Sequence, residues 1–185
     1  MATPGGVQSE SIVLGGGCFW CLEASYQLVA GVTSVVPGYA GGNTKNADYW
    51  SVASKTTGHA EVVRVEFDPN IRTLDDILDI FWVFHDPTQK DGQGYDVGPE
   101  YRSIILTGSS EQLHVAEGSK AAAQKYWDKP IVTEIKPLEH FYEAEPEHHN
   151  YYRKNPNQAY CQVIVSPKLA KLRAKLSQYL KEPAA

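Results

Sequence analysis

The segment SIVLGGG at residues 11–17 is a short apolar run that ends in three glycines. Apolar residues then recur at helical spacing, at Cys18, Leu22 and Tyr26, until Gly31 interrupts the pattern. The pattern predicts a strand that runs into the glycines and a helix that begins at Cys18. The sulfur of Cys18 is therefore expected at the start of a helix.

Similar patterns predict the remaining elements of the chain. Thr73 with Asp76, and Ser109 with Gln112, have the spacing of helix N-terminal caps. The predicted strands lie at 33–42, 59–69, 101–108 and 131–138, and the predicted helices run from Thr73 to before Pro87 and from Ser109 to about Trp127. Extra helices are expected near 144–154 and 167–181, and Cys161 begins a strand-like apolar segment.

This order of elements contains a β-α-β-β-α-β run, which is typical of a ferredoxin-like two-layer sandwich. The predicted fold class is therefore α+β, with additional C-terminal helices. No internal repeat and no linker-like stretch occurs beyond the first ten residues. The chain is interpreted as a single domain at 11–185 that follows a flexible N-terminal segment at 1–10.

The charge and hydropathy of the chain argue against several classes of partner. The net charge is −5 over 185 residues and no basic stripe is present, so neither nucleic acid nor an anionic membrane is expected. No apolar run approaches the ~18 residues of a membrane helix, and MATPGGVQSES lacks the basic start and apolar core of a signal peptide. The expected location is the cytoplasm.

The three cysteines raise the question of thiol reactivity, because an odd number leaves at least one thiol unpaired or only transiently paired. A cysteine in the first turn of a helix lies where free N–H groups and the helix dipole stabilise the nucleophilic thiolate. Cys18 has this placement, and the glycines at 15–17 leave no side chains on the approach to its sulfur. The alternative is that Cys18 and Cys21 are small apolar residues packed on a helix face.

Phe19 and Trp20 favour the reactive interpretation. Two adjacent large aromatic residues on an amphipathic helix cannot both face the core, so at least one must lie near the surface around the sulfur. An aromatic wall of this kind suits a small apolar group such as a methyl.

The same cysteines could supply half of a zinc site, but the pattern does not favour one. The other half would need a second close pair of ligands, and only Cys161 and scattered histidines remain. The adjacent His148 and His149 would point about 100° apart on a helix, which suits shared ligation poorly. Neither a metal nor another cofactor is expected.

Glu61 is a carboxylate on the apolar face of a predicted strand. In HAEVVRVEF, the residues Val63, Val65 and Phe67 share one face, and a period of two places Glu61 on that face. A carboxyl group partly removed from water has a raised pKa and can act as a general acid near neutral pH. The alternative is that Glu61 lies in solvent at a frayed strand end.

Five motifs, GGGCFW, GYAGG, TGHAEVV, HDPT and YDVGPEYRS, occur in the chain in this order. In order and approximate spacing they resemble the A-type peptide methionine sulfoxide reductases. The resemblance extends from about residue 11 to HHNYYRKNP at 148–156, which is nearly the whole chain.

The resemblance implies a ferredoxin-like α+β fold and reduction of the S epimer of methionine sulfoxide, free or in peptides, to methionine. It implies that Cys18 is the nucleophile, Glu61 is the acid, and Phe19 and Trp20 hold the S-methyl group. The positions that orient the sulfoxide oxygen in the family correspond to Tyr49, Asp96 and Tyr101. A thioredoxin-type dithiol is the implied reductant, and a monomer is expected.

The chain departs from the family pattern in three places, one of which is the loop in QKDGQGYDVG before Asp96, where the family form is Asn-Arg-Gln-Gly-Asn. Cys21 stands where many members have glycine, and the Gly-rich, cysteine-bearing tail of some relatives is replaced by NPNQAYCQVIVSPKLAKLRAKL. Cys21 and Cys161 are therefore both candidates for the thiol that resolves a Cys18 sulfenic acid. Either could instead be a packed, inert thiol.

Two other functions stay open from the sequence. A general Cys-x-x-Cys oxidoreductase would act on protein disulfides and would not turn over methionine sulfoxide. A non-enzymatic module with a tyrosine-rich groove would bind methionine-containing peptides whether or not Cys18 is present.

Overall fold

The computed structural model describes residues 8–182. Its strands are β1 (Glu10–Gly15), β2 (Val32–Ala40), β3 (Ala60–Phe67), β4 (Gly92–Gln93), β5 (Asp96–Val97), β6 (Ile104–Thr107), β7 (Glu134–Pro137) and β8 (Phe141–Glu143). Six of them form a sheet in the order β7-β6-β1-β3-β2-β8, and β4 and β5 form a separate hairpin. Within the large sheet only the β6–β7 pair is parallel.

The helices in the described part of the chain are α1 (Phe19–Tyr26), α2 (Tyr49–Ala53), α3 (Leu74–Phe84), α4 (Ser110–Ala123), α5 (Tyr151–Lys154) and α6 (Ser166–Leu176). A π-helical turn at Cys161–Val165 leads directly into α6. The combination of a largely antiparallel sheet with packed helices confirms the predicted α+β class.

The sheet is buried on both faces, and the strand sequences show why. On β3, the side chains of Val63, Val65 and Phe67 enter the main core, where the helices pack. Ala60 and Val62 enter a smaller cluster on the opposite face. The alternation of side chains along a strand therefore places Glu61 on the side of the main core.

The predicted helix starts are present in the structure. Thr73 accepts a hydrogen bond from the N–H of Asp76, and the Asp76 carboxylate accepts one from the N–H of Thr73. Ser109 accepts a hydrogen bond from the N–H of Gln112 at the start of α4. These side chains satisfy N–H groups that the first helical turn leaves free.

The strand-like interpretation of the segment after Cys161 is wrong. The buried residues here are Cys161, Val165, Leu169, Leu172 and Leu176, which recur at helical spacing. The β-branched residues between them, such as Val163, face outward and gave the misleading strand signal. The helix expected near 144–154 is also shorter, because only a 3₁₀ turn at Pro146–His148 and the four-residue α5 form there.

The C-terminal segment is the part of the fold that completes the site. The π-helical turn and α6 both pack against α1, and α6 also packs against α3. This arrangement brings residues 160–168 to the start of α1, next to Cys18 and Cys21.

Two expectations concern residues at the ends of the chain. Within the flexible segment expected at 1–10, residues 1–7 lie outside the described residues, and Glu10 is already part of β1. Across residues 8–182, no helix is both long and apolar enough to cross a lipid bilayer.

Candidate active site

The turn between β1 and α1 holds Cys18 at the N-terminus of α1. Gly17 has a φ of 99°, a left-handed conformation that favours glycine. Gly15 packs so closely that a β-carbon there would lie 2.8 Å from Cγ2 of Ile104. Cys18 follows as the N-cap residue with extended backbone, and α1 begins at Phe19. The glycines thus allow a sharp, tightly packed entry into the helix.

These glycines do not face open space, contrary to the unobstructed approach expected from the sequence. A β-carbon at Gly16 would lie 3.1 Å from the ring of His85, and one at Gly17 would lie 3.1 Å from the side chain of Gln93. Cys18 itself is 6% exposed, so a reacting molecule has a narrow opening to its sulfur.

Cys18 retains its proton in this environment. Burial raises the pKa of its thiol well above the usual value, and the neighbouring Cys21 and Glu61 raise it further. The backbone N–H of Trp20 lowers the pKa. One such donor does not outweigh the removal of a thiolate from water. The stabilisation of a Cys18 thiolate that the helix N-terminus led us to expect is therefore overridden by burial.

Cys21 lies one turn further along α1 and is the preferred site of negative charge in the pair. Hydrogen bonding from Cys18 lowers the pKa of the Cys21 thiol, and burial opposes this effect. Lys168 and Tyr160 lower the pKa further. Of the two thiols, Cys21 therefore loses its proton before Cys18.

Glu61 is a buried acid beside the start of α1. Its side chain lies at the beginning of β3 and the residue is 4% exposed, which rules out a frayed strand end in solvent. Its Oε2 atom accepts a 3.1 Å hydrogen bond from the N–H of Phe19. Burial raises the pKa of the carboxyl to about 8, and this hydrogen bond only partly opposes the increase. Glu61 is therefore protonated at neutral pH.

Tyr49 and Tyr101 lie within electrostatic reach of the same two groups. Burial raises the pKa of each phenol, and Glu61 and Cys18 raise it further at a pH where these two groups are ionised. Tyr49 begins α2, while Tyr101 ends the 3₁₀ turn at Pro99–Tyr101 before β6. Two different elements of the fold thus place the hydroxyl groups of Tyr49 and Tyr101 near Cys18 and Glu61, and both hydroxyls keep their protons at neutral pH.

Asp96 is held by a residue that the sequence analysis did not single out. The hydroxyl of Tyr160 donates a 2.7 Å hydrogen bond to Oδ2 of Asp96. Asp96 raises the pKa of Glu61 and also that of Cys21. The β4–β5 hairpin thereby joins the site to the segment that precedes Cys161.

Phe19 and Trp20 occupy different environments. The Phe19 ring is buried, with its centre 5.7 Å from that of Tyr39 and 5.3 Å from that of His148. Trp20 is partly exposed and stacks on Tyr151, with ring centres 3.6 Å apart. The indole N–H of Trp20 donates a 3.2 Å hydrogen bond to Nδ1 of His148. The site therefore has an apolar wall that its neighbours hold in a fixed orientation.

Cys161 is buried close to Cys21. Burial raises the pKa of its thiol, and the charge of Cys21 raises it further. All three thiols are free in the structure. The fold thus brings together both candidates for the resolving cysteine.

Comparison with known proteins places this site in a family. The sequence model of the family described as peptide methionine sulfoxide reductase matches residues 10–180. The chain belongs to this family.

Similar sequences cover nearly the whole chain. A peptide methionine sulfoxide reductase MsrA of Paenarthrobacter aurescens is 53% identical over 171 residues, which are 92% of this chain and 98% of the relative. A peptide methionine sulfoxide reductase MsrA of Leptospira borgpetersenii is 54% identical over 162 residues, 88% of this chain and 92% of the relative.

Solved structures agree with this membership. Reduced Mxr1 from Saccharomyces cerevisiae has a TM-score of 0.77 and 34% identity, covering 83% of this chain and 89% of its own. Methionine sulfoxide reductase A of Corynebacterium diphtheriae has a TM-score of 0.73 and 34% identity, covering 82% of this chain and 77% of its own. Mxr1 in complex with Trx2 has a TM-score of 0.55 and 25% identity, covering 81% of this chain and 89% of its own.

Several residues of this peptide methionine sulfoxide reductase site were not assigned a role from the sequence. Tyr151 stacks on Trp20, and Tyr160 binds Asp96. Glu145 accepts hydrogen bonds from the Tyr39 hydroxyl at 2.9 Å and from the Tyr49 N–H at 2.8 Å. The only available signal was that these residues lie in or beside the segments HHNYYRKNP and NPNQAYC.

Within residues 8–182, no group of three or more His, Cys, Asp or Glu side chains is arranged to hold a metal ion.

Proposed function

We propose that this chain reduces the S epimer of methionine sulfoxide, free or in peptides, to methionine. The observation that carries the proposal is the buried Glu61 carboxyl, whose Oε2 atom accepts a hydrogen bond from the N–H of the residue that directly follows Cys18. Removal of a sulfoxide oxygen needs a sulfur nucleophile that attacks the sulfoxide sulfur and a neutral acid that protonates the oxygen, and both groups must lie in the same site.

Glu61 has the protonation state for the first step. A sulfoxide oxygen is a poor leaving group until it is protonated, and the Glu61 carboxyl, with a pKa of about 8, carries the needed proton at neutral pH. The hydroxyls of Tyr49 and Tyr101 donate hydrogen bonds that stabilise the charge developing on that oxygen.

Cys18 attacks the sulfoxide sulfur as Glu61 gives its proton to the oxygen. The proton that Cys18 loses returns the neighbouring Glu61 carboxylate to its neutral form. The sulfoxide oxygen is transferred to Cys18, which becomes a sulfenic acid, and methionine leaves. Phe19 and Trp20 form the apolar wall that receives the S-methyl group.

Cys21 is the resolving cysteine in this proposal. It lies one helical turn from Cys18 and interacts with it directly, whereas the main electrostatic neighbour of Cys161 is Cys21 rather than Cys18. A thioredoxin-type dithiol then reduces the disulfide by exchange. The complex of Mxr1 with Trx2 supports this choice of reductant.

The proposal also covers the fold type, the domain bounds, the oligomeric state and the cellular location of the enzyme. The central strand order β6-β1-β3-β2 supports a ferredoxin-like sandwich within the larger sheet. The catalytic domain spans residues 11–185 and acts as a monomer. Three free thiols are consistent with the reducing conditions of the cytoplasm.

The test is an assay with each sulfoxide epimer and dithiothreitol, in which methionine is measured. The proposal predicts methionine from the S epimer only, and loss of turnover in Cys18→Ser. Turnover of a protein disulfide without turnover of sulfoxide would instead indicate a general dithiol oxidoreductase. Binding of methionine-containing peptides that Cys18→Ser does not weaken, with no loss of sulfoxide, would indicate a binding module.

A further inference from the structure

Lys168, the third residue of α6, places a cation beside the start of α1. A β-carbon at Gly17 would lie 3.9 Å from its Nζ atom. The same ammonium lies 5.3 Å from the centre of the Phe84 ring, which restricts where it can point. The side chain is half-buried, so its charge is less screened than that of an exposed lysine.

The charge of Lys168 has no carboxylate partner at ion-pair distance within residues 8–182. Its side chain lines a cavity of about 270 Å³ together with Gln93, Asp96 and Ile164. Partial burial of an unpaired ammonium group is costly unless a negative charge lies near it. The buried sulfur of Cys21 is a group that can supply this charge.

We propose that Lys168 stabilises the Cys21 thiolate and so makes Cys21 the nucleophile that attacks the Cys18 sulfenic acid. Lys168 is a positioning residue in this role, because it acts through Cys21 and does not contact the sulfoxide. The inference rests on the proposed function, which supplies the sulfenic acid.

The charged and titratable groups around Cys21 come from several elements. They are Cys18 at the start of α1, Glu61 on β3, Asp96 on β5, Tyr160 and Cys161 around the π-helical turn, and Lys168 on α6. Among the groups with the largest effects on Cys21, Lys168 is the cation, whereas Asp96 disfavours the thiolate. Loss of the Lys168 charge therefore leaves a negative environment for the Cys21 sulfur.

The assisted step is balanced in atoms and electrons. The Cys21 thiolate attacks the sulfur of the Cys18 sulfenic acid, an S–S bond forms and the S–O bond breaks. The oxygen takes one proton from solvent in addition to its own and leaves as water. The Cys21 sulfur is oxidised and the Cys18 sulfur is reduced to the disulfide level.

The size of the expected effect follows from thiol chemistry. For each unit by which the pKa of Cys21 rises, its thiolate fraction falls about tenfold, while the nucleophilicity of the thiolate increases about threefold. Disulfide formation should therefore slow about threefold for each such unit. The release of the first equivalent of methionine precedes this step and should change less.

The first test measures the Cys21 thiolate without any turnover. In Cys18→Ser/Cys161→Ser protein, which leaves Cys21 as the only thiol, thiolate absorbance is titrated with and without Lys168→Gln. We expect the Cys21 titration to move to higher pH in Lys168→Gln and to keep its position in Lys168→Arg. Lys175→Gln, two turns further along α6, is the matched control. An unchanged titration in Lys168→Gln would overturn the proposal whatever the enzyme's substrate.

The second test uses the reactive protein with one equivalent of the S epimer. We expect Lys168→Gln to release methionine at a rate close to that of the original protein but to form the Cys18–Cys21 disulfide several-fold more slowly, with recovery in Lys168→Arg. Equal disulfide rates in Lys168→Gln and the original protein would contradict the role of Lys168. Absence of methionine from the original protein would instead contradict the proposed function.

Discussion

The backbone N–H of Phe19 donates a 3.1 Å hydrogen bond to the Glu61 carboxyl across 42 residues of sequence. Phe19 directly follows Cys18, so this bond fixes the buried acid relative to the backbone that carries the nucleophile. β3 supplies the acid, and the turn after β1 supplies the sulfur. Because these two strands are hydrogen-bonded neighbours in the sheet, the sheet sets the distance between the two groups.

The buried Glu61 predicts an unusual dependence of stability on pH. Its pKa in the folded protein is about 8, above the usual 4.5, so the folded state holds a proton that the unfolded state releases between these values. Stability contributed by Glu61 is thus complete below about pH 4.5 and is lost as the pH rises to about 8. The loss is on the order of 5 kcal/mol.

Urea unfolding of the original protein and of Glu61→Gln tests this prediction. The free energy of unfolding of the original protein should fall relative to that of Glu61→Gln as the pH rises from about 5 to about 8. His85 also titrates abnormally, with its pKa lowered by burial to about 4, but it is present in both proteins and cancels in the difference. Glu66→Gln, nearer the solvent on the same strand, is the control. Parallel pH profiles would contradict the raised pKa of Glu61.

Glu100 predicts a shift in the pH dependence of activity. This carboxylate is 5% exposed, and its Oε2 atom has no hydrogen-bond partner among residues 8–182. Its charge helps to raise the pKa of Glu61. Glu100→Gln should therefore lower the pKa of Glu61 and move the alkaline decline of kcat/KM to lower pH. Identical pH profiles of kcat/KM in Glu100→Gln and the original protein would show that Glu100 does not influence the pKa of Glu61.

The stacking of Tyr151 on Trp20 predicts that a change at Tyr151 alters KM for the sulfoxide more than it alters kcat. Its ring stacks on Trp20 at 3.6 Å, and such aromatic pairs contribute about 0.5–1.5 kcal/mol. Tyr151→Ala should raise KM for methionine sulfoxide by up to about tenfold, with a smaller change in kcat. Tyr152→Ala, whose hydroxyl instead pairs with Ser166, is the matched control. An equal effect of both changes would indicate a general loss of packing.

The assignment of Cys21 as the resolving cysteine predicts that Cys161→Ser and Cys21→Ser leave Cys18 in different oxidised forms after reaction with one equivalent of sulfoxide. Cys161→Ser should still form a disulfide between Cys18 and Cys21, whereas Cys21→Ser should accumulate a sulfenic acid at Cys18. Peptide mass mapping and a sulfenic acid trap distinguish the two products. A Cys18–Cys161 disulfide in the original protein would assign resolution to Cys161 instead.

Local patterns were enough to predict five of the six strands of the large sheet and the inward direction of Glu61, but they missed the short edge strand β8. Alternation on β3 and the glycine turn before Cys18 are properties of a few consecutive residues. The segment after Cys161 was mispredicted because its β-branched residues resemble a strand, while only its packing shows the helical spacing of the buried side chains.

The electrostatics of the site could not be predicted from local sequence. The position of Cys18 at a helix start suggested a stabilised thiolate, but its pKa depends on burial and on Cys21 and Glu61. Tyr160 and Lys168 reach the site only because the C-terminal segment folds back across α1. Contacts between distant parts of the chain leave no signal in one sequence.

Single-turnover reduction of the S epimer by Glu61→Gln tests the central claim most directly. The account predicts that the original protein releases one equivalent of methionine without reductant, at a rate that declines above about pH 8 as Glu61 ionises. Glu61→Gln should be slower by about a hundredfold or more, since a glutamine has no proton to give the departing oxygen. An unchanged single-turnover rate in Glu61→Gln would show that Cys18 and Glu61 do not act together on the sulfoxide.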